Sequence, residues 1–197
     1  MKKRIAVRVS GGGTNLQALL EAEEAGKIPH GEIAMVISNN PGAYALERAK
    51  NFGVPAAVIS KKELGSQEAF ERELQAVLER NGTDLIILAG FMCILSERFT
   101  SKWPKRIINV HPSLIPSFCG EGFYGLRVHQ AALDYGVKVT GATVHFVNEI
   151  PDGGEIIAQK AVYIEETDTP ETLQRRVMEQ AEWILLPQAA ETVCANM

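Results

Sequence analysis

The sequence predicts an open, mostly parallel, twisted α/β sheet with helices on both faces and antiparallel strands added in its C-terminal part. Three observations support this fold class. Short apolar runs alternate with helix-favouring segments through the first half of the chain, as in repeated strand–helix units. Residues 85–89 are almost continuously apolar, which is typical of a central parallel strand covered on both faces. Beyond residue 136 two longer strand-like segments follow each other without an intervening helix.

The individual elements follow from these patterns. Strands are predicted at residues 5–9, 33–37, 56–59, 85–89 and 107–110. Helices are predicted where apolar residues recur at helical spacing until a glycine or an Asn-Gly pair ends the pattern, at residues 16–25, 43–51 and 66–80. Residues 137–147 and 155–164 are predicted as the antiparallel strands. A closing helix is expected to begin at Pro170, with Thr169 as its N-cap and a kink or interruption at Pro187.

Length and composition limit the functional classes. The chain of 197 residues is predicted to form one domain over residues 1–197. Its net charge of −4 does not indicate a nucleic-acid partner, although a locally positive site can still bind a small anion. No segment approaches a membrane span, the apolar run near the N-terminus is too short for a signal peptide, and the three scattered cysteines suggest neither disulfides nor a metal site. We therefore expect a cytoplasmic protein, monomeric or homodimeric, that binds small molecules without a metal, nucleic acid or membrane.

A glycine-rich turn joins the first predicted strand to the first predicted helix. Residues 11–13 are glycines and are followed by Thr14 and Asn15. Glycines let the backbone approach a ligand closely, and the helix N-terminus offers free N–H groups to a phosphate. No Walker A lysine follows, and Leu16 occupies the last glycine position of a dinucleotide-binding motif, so a monophosphate is favoured. A tight turn without any ligand explains the same residues about equally well.

A second candidate site follows the fifth predicted strand, where residues 109–116 read Asn-Val-His-Pro-Ser-Leu-Ile-Pro. Ligands of open α/β sheets bind beyond such strand ends. Asn109 and His111 are two residues apart, so they face the same side of an extended chain. Together they can stabilise an oxyanion and move a proton. For an isolated histidine, a structural hydrogen bond to a loop carbonyl is the better explanation.

Asp152 precedes two glycines at the connection between the last two predicted strands. Aspartate at such a position is usually a turn residue. In the functional interpretation its carboxylate lies beside His111 and stabilises the imidazolium form. His145, inside a predicted strand, is expected to be a structural or supporting histidine rather than the proton carrier.

Four segments together resemble the glycinamide ribonucleotide formyltransferase family. They read S-G-G-G-T-N-L-Q at 10–17, A-G-F-M-C-I-L at 89–95, N-V-H-P-S-L-I-P at 109–116 and G-A-T-V-H-F-V followed by D-G-G within 141–154. They occur in order over nearly the whole chain. The N-x-H-P-S-L-[LI]-P motif is specific to the wider formyltransferase superfamily, and the glycine loop narrows the resemblance to this branch.

The resemblance implies transfer of a formyl group from 10-formyltetrahydrofolate to the amine of glycinamide ribonucleotide in purine synthesis. It implies a catalytic trio of Asn109, His111 and Asp152. Substrate-binding roles are implied for Gly12, Gly13, Thr14, Asn15, Pro112 and Glu182. Positions at the folate site are implied for Gln67, Met92, Cys93, Ile94, Leu95, Asn109 and Pro151.

The chain departs from the family pattern in several places. Gln67 and Cys93 stand where many members have arginines that border the folate. Trp183 replaces a family histidine, and the spacing upstream of Glu182 is one residue longer. Residues 118–126 form a longer loop than in many members, which we expect to reshape the entrance of the site or a contact surface.

Other functions fit parts of this pattern. A formyl-folate hydrolase would use water in place of the amine, and formyltransferases acting on initiator tRNA usually carry a further C-terminal domain. A non-catalytic nucleotide-binding module would explain the glycine turn and the sheet. It would not explain the combination of Asn109, His111 and Asp152.

Overall fold

Seven strands form one sheet within residues 1–91 and 94–197, which are the residues that this computed structural model describes. The strands are β1 (Lys3–Val9), β2 (Gly31–Ser38), β3 (Ala56–Val58), β4 (Leu85–Leu88), β5 (Ile107–His111), β6 (Val139–Phe146) and β7 (Ile156–Tyr163). Their order across the sheet is β3-β2-β1-β4-β5-β6-β7. β1 to β5 pair in parallel, whereas β6 and β7 pair antiparallel. The structure therefore confirms the predicted fold class.

Helices cover both faces of the sheet in the described part of the chain. They are α1 (Thr14–Glu24), α2 (Tyr44–Asn51), α3 (Lys61–Leu64), α4 (Gln67–Arg80), α5 (Glu97–Thr100), α6 (Leu126–Tyr135), α7 (Pro170–Val177) and α8 (Trp183–Ala195). The sequence patterns predict α1, α2, α4 and the closing helix, whereas α3, α5 and α6 are found only in the structure. Among the described helices, none combines the length and the apolar character that a membrane span requires.

The two faces of β1 pack against different helices, because successive side chains of a strand point to opposite sides. Ile5, Val7 and Val9 belong to the cluster formed with α1 and α8. Ala6 belongs to the cluster formed with α4. All four side chains are fully buried. The sheet is thus covered on both sides, as the near-continuous apolar strands indicate.

The closing helix begins at Pro170 as predicted. Thr169 caps it by accepting a hydrogen bond from the backbone N–H of Thr172 (3.2 Å). The predicted interruption lies earlier than Pro187: Met178–Glu182 is π-helical, and α8 then continues through the proline. The expectation of a break at Pro187 is therefore corrected to a π-helical segment that precedes it.

The spacing of the buried residues gives a physical reason for this π-helical segment. Leu173, Val177, Ala181 and Leu185 are buried and recur every fourth residue. An α-helix turns by about 100° per residue, so a four-residue repeat drifts by about 40° at each step. A π turn is wider than an α turn, and it returns the apolar stripe toward the sheet.

The carboxyl ends of β1, β4 and β5 lie at one edge of the sheet, because these strands are parallel neighbours. Adjacent strands are about 4.8 Å apart, so the chain ends of β1 and β5 are separated by roughly 10 Å. Ligands of open α/β sheets bind at this edge. The glycine turn after β1 and residues 109–111 of β5 are thus brought to the same edge.

Candidate active site

A cavity of about 750 Å³ opens at this edge, beyond the ends of β4 and β5. Residues 120–125 form one of its walls and residues 147–152 contribute another. Its lining includes seven of the residues predicted from the sequence: Ile94, Leu95, Asn109, His111, Pro112, Pro151 and Asp152. The structure therefore brings the predicted catalytic trio together with part of the predicted folate site.

The carboxylate of Asp152 is the centre of the polar groups in this cavity. Its Oδ2 lies 3.4 Å from His111 Nδ1 and accepts a hydrogen bond from the backbone N–H of Gly120 (2.9 Å). Its Oδ1 lies 3.5 Å from His145 Nε2. Burial alone raises the pKa of Asp152, but the contact with His145, the charge of His111 and the Gly120 N–H together hold that pKa below its ordinary value of 3.8. Asp152 is therefore a carboxylate at neutral pH.

The position of Asp152 depends on the two glycines that follow it. Asp152 has a φ of 54°, in the left-handed region that aspartate tolerates better than most residues. A Cβ at Gly153 would lie 2.5 Å from the side chain of Ile150. A Cβ at Gly154 would lie 1.7 Å from the carbonyl oxygen of Phe146. This close packing explains why the turn reads Asp-Gly-Gly.

Both ring nitrogens of His111 face acceptors. Nδ1 faces the carboxylate of Asp152, and Nε2 lies 2.9 Å from the carbonyl oxygen of Phe118. A carboxylate and a carbonyl can only accept hydrogen bonds, so the geometry favours an imidazolium with a proton on each nitrogen. The ring is buried, so this charge sits where little water can screen it.

A further buried histidine lies close to His111 without adding charge. His129, in α6, is fully buried, and neither ring nitrogen has a hydrogen-bond partner among the described residues. Burial, together with the charge of His111, lowers the pKa of His129 to about 4. His129 is therefore neutral at pH 7 and places no second positive charge beside His111.

Asn109 and His145 face each other across the β5–β6 pair. The antiparallel register places them directly opposite, and Asn109 Nδ2 lies 3.2 Å from His145 Nε2. The other ring nitrogen of His145, Nδ1, lies 2.8 Å from the carbonyl oxygen of Phe146. His145 thus contacts two members of the predicted catalytic trio, in line with the expected supporting role.

The glycine turn after β1 forms a second cluster at the same sheet edge. Gly13 has a φ of 71°, and a Cβ there would lie 2.6 Å from the Cβ of Ala45, so glycine is required at this position. Gly13 is also the N-cap of α1, and no side-chain hydrogen bond caps this helix among the described residues. These N–H groups, beside Thr14 and Asn15, have the geometry that binds an anion.

Arg48 of α2 is a charged residue at this turn that sequence reasoning missed. Its Nε donates to the carbonyl oxygen of Gly12 (2.8 Å), and its Nη1 donates to Gln17 Oε1 (2.9 Å). The guanidinium therefore lies beside the helix N-terminus, where a phosphate would benefit from its charge. Arg48 is distant from the turn in sequence, and only the packing of α2 against α1 brings the two together.

Glu182 lies behind the glycine turn, in the π-helical segment. Its Oε2 accepts a hydrogen bond from Asn15 Nδ2 (2.8 Å). The side chain is buried, and this burial raises the pKa of Glu182, with only partial compensation from Asn15. The structure thus joins two of the predicted substrate-binding residues in one contact.

Gln67 supports the cavity from outside its lining. Its Nε2 donates to Glu71 Oε1 (2.6 Å) and to the carbonyl oxygen of Ile94 (3.1 Å). Ile94 itself lines the cavity. Met92 and Cys93, which are also predicted to border the folate, lie outside the described residues.

The described cavity wall is acidic, and Gln67 and Cys93 stand where many family members have arginines. The described lining contains the carboxylates of Glu121, Glu149 and Asp152 but no lysine or arginine. Glu121 belongs to the loop of residues 118–126, so this loop forms part of the cavity lining. Throughout residues 1–91 and 94–197, no group of three or more potential metal ligands occurs.

Residues 3–189 match the formyl transferase family. The chain belongs to this family. It also superposes on the crystal structure of glycinamide ribonucleotide transformylase 1 from Symbiobacterium toebii with a TM-score of 0.92 and 42% sequence identity. That superposition covers 99% of this chain and 89% of the other.

Sequence relatives agree with this assignment and confirm the resemblance seen in the motifs. The phosphoribosylglycinamide formyltransferase of Haemophilus influenzae is 42% identical over 178 residues, which cover 90% of this chain and 81% of that protein. The trifunctional purine biosynthetic protein adenosine-3 of Bos taurus is 44% identical over 196 residues, which cover 99% of this chain. The chain spans only 19% of the length of that trifunctional relative.

The position of Arg48 generates a prediction about phosphate binding. Substitution Arg48→Ala should raise the KM for glycinamide ribonucleotide by about tenfold or more, because a charge-assisted hydrogen bond contributes roughly 1.5–3 kcal/mol. The KM for the formyl donor should stay the same. Steady-state kinetics with each substrate varied in turn measures both. Lys50→Ala is the matched control, since Lys50 is an exposed cation on the same helix that pairs with Glu47. Equal KM values in the two variants would contradict a role of Arg48 at the phosphate.

Proposed function

We propose that the protein transfers the formyl group of 10-formyltetrahydrofolate to the amine of N1-(5-phosphoribosyl)glycinamide, in de novo purine (IMP) biosynthesis. The products are the formylglycinamide ribonucleotide and tetrahydrofolate. The observation that carries this proposal is the Asp152–His111 pair with Asn109 at the end of a cavity of about 750 Å³. That cavity shares its sheet edge with an anion-binding turn.

The ribonucleotide fits along this edge. Its phosphate binds at Gly12, Gly13, Thr14 and Asn15, with Arg48 beside them. Its ribose lies near Glu182, whose carboxyl group can hydrogen-bond to hydroxyls. The distance of roughly 10 Å between the ends of β1 and β5 then brings the glycinamide amine to Pro112 and His111.

The folate fits the cavity between the two loop walls. A volume of about 750 Å³ lies within the range of cavities that hold drug-sized ligands. Ile94, Leu95 and Pro151 provide apolar surface for the ring systems, and Asn109 lies at the reacting end. Because the described lining has no lysine or arginine, we assign the donor's affinity mainly to apolar contact and ring hydrogen bonds. The carboxylate tail contributes less.

Formyl transfer then follows from this arrangement. The neutral amine of the ribonucleotide attacks the formyl carbon, and the formyl oxygen becomes an oxyanion. The imidazolium of His111 and the amide of Asn109 stabilise that oxyanion by hydrogen bonds and charge. The bond between the formyl carbon and the folate nitrogen then breaks, and a proton moves from the attacking amine to the departing nitrogen through His111 or an ordered water. Much of the rate enhancement comes from aligning two bound substrates.

Asp152 acts on this reaction through His111. Its carboxylate stabilises the imidazolium and fixes the orientation of the ring. The backbone of the long loop completes the arrangement, because Phe118 O faces His111 and Gly120 N–H binds Asp152. We also propose that the enzyme works in the cytoplasm on these small molecules, without nucleic acid or membrane.

The direct experiment compares folate turnover with and without the ribonucleotide. Purified protein receives 10-formyltetrahydrofolate, and the deformylated folate is followed by its absorbance. We expect turnover only when glycinamide ribonucleotide is present. Turnover at the same rate without it would identify a formyl-folate hydrolase instead. Ribonucleotide binding without any turnover would leave only a phosphate-binding relative.

The catalytic assignments are tested by His111→Ala and Asp152→Asn. Each should lower kcat by about 100-fold or more, because each removes or weakens the charge that meets the oxyanion. Folding is checked by circular dichroism and thermal unfolding. His30→Ala and Asp134→Asn are matched controls, since both residues lie outside the cavity lining and are exposed. Near-normal kcat in either active-site variant would remove its assigned role.

A further inference from the structure

One ring nitrogen of His145 has a fixed role. Its Nδ1 lies 2.8 Å from the carbonyl oxygen of Phe146, which can only accept a hydrogen bond. Nδ1 therefore carries a proton in every state of the ring. The Phe146 carbonyl is itself held in place, because Gly154 packs so closely against it that no Cβ would fit. The Asp-Gly-Gly turn thus fixes the tautomer of this histidine.

The other nitrogen, Nε2, can exist in two states. When Nε2 carries no proton, its lone pair accepts a hydrogen bond from the NH₂ group of Asn109, whose Nδ2 lies 3.2 Å away. The Asn109 carbonyl oxygen then faces away from His145. The lone pair of Nε2 also faces the Asp152 carboxylate 3.5 Å away, and this contact between two electron-rich groups is unfavourable. As an N–H group, Nε2 instead donates toward Asp152 and toward the carbonyl end of Asn109. That state requires the amide to rotate by about 180° from the orientation in which its Nδ2 faces His145 Nε2, so that its NH₂ group turns to the cavity.

Only the second orientation serves an oxyanion. The NH₂ end of Asn109 is its donor, and an oxyanion needs donors. We propose that His145 is a positioning residue: the proton on its Nε2 turns the Asn109 amide so that its NH₂ group faces the formyl oxygen. This inference rests on the proposed function for its catalytic consequence. The orientation of the amide itself depends only on the contacts between the two residues and Asp152.

The carboxylate of Asp152 stabilises a proton on Nε2 by its charge. Asp152, on the turn after β6, faces it with a negative charge, and His111, on β5, meets the same carboxylate from the other side. Two imidazoliums beside one carboxylate leave a net charge of about +1, which a developing oxyanion neutralises. His129 adds no charge, because its pKa is about 4.

Two substitutions of His145 separate positioning from structure. His145→Phe keeps a planar ring but cannot hydrogen-bond, so kcat should fall by about 100-fold while both KM values stay within about twofold. His145→Gln offers an NH₂ donor that does not titrate. It should recover about tenfold of that loss, which a purely structural role of the ring would not predict.

His129→Gln is the matched control. It replaces another buried histidine near His111, but neither ring nitrogen of His129 has a hydrogen-bond partner among the described residues. Its kcat should stay within about twofold of that of the wild type. A His145→Phe kcat near that of the wild type, or an equal loss in His129→Gln, would overturn the proposal.

Nuclear magnetic resonance tests the proposal without any assay of activity. In protein labelled with ¹⁵N, His145 Nδ1 should remain protonated across the pH range. The Asn109 side-chain amide signal should shift together with protonation of His145 Nε2. If the Asn109 amide signal does not change when His145 Nε2 is protonated, the positioning role is disproved even if formyl transfer proceeds. If the Asn109 and His145 signals change together but the protein does not transfer formyl groups, the positioning role stands and the proposed function is rejected.

Discussion

The charged carboxylate of Asp152 is the interaction on which the rest of the site depends. It meets His111 and His145 through its two oxygens and accepts the backbone N–H of Gly120. Without it, an imidazolium at His111 would be a buried charge with no partner, which is costly. The backbone of this turn fixes the position of that carboxylate. Asp152 adopts a left-handed conformation, and the two following glycines pack too tightly to accept a side chain.

The topology of the sheet explains how one carboxylate reaches two histidines. Parallel strands β1, β4 and β5 bring the glycine turn and His111 to a single edge, as in other open α/β sheets. The antiparallel strand β6 then places His145 directly opposite Asn109. The change from parallel to antiparallel pairing is thus what brings the proposed catalytic residues together at the same edge as the glycine turn.

Much of this could be predicted from the sequence, because it depends on local patterns. Alternating strand and helix signals gave the sheet, and the motif around His111 lies at a strand end where ligands bind. Arg48 could not be predicted, since only packing between α1 and α2 brings it to the glycine turn. The contact of His145 with Asn109 depends on antiparallel register, which the sequence alone does not specify. The sequence placed the interruption of the closing helix at Pro187, although the four-residue apolar repeat required a π turn before that residue.

The pH dependence of stability tests the charged state of Asp152 most directly. Its pKa is lower in the folded protein than its ordinary value of 3.8, so the stabilisation it gives is present above that value and is lost as pH falls through the folded pKa. Urea unfolding of the wild type and of Asp152→Asn should be compared from about pH 6 down to about pH 3. The free energy of unfolding of the wild type, relative to that of the variant, should decrease over this range. A difference that stays constant with pH would show that Asp152 is not a paired carboxylate in the folded protein and would contradict the account of the site.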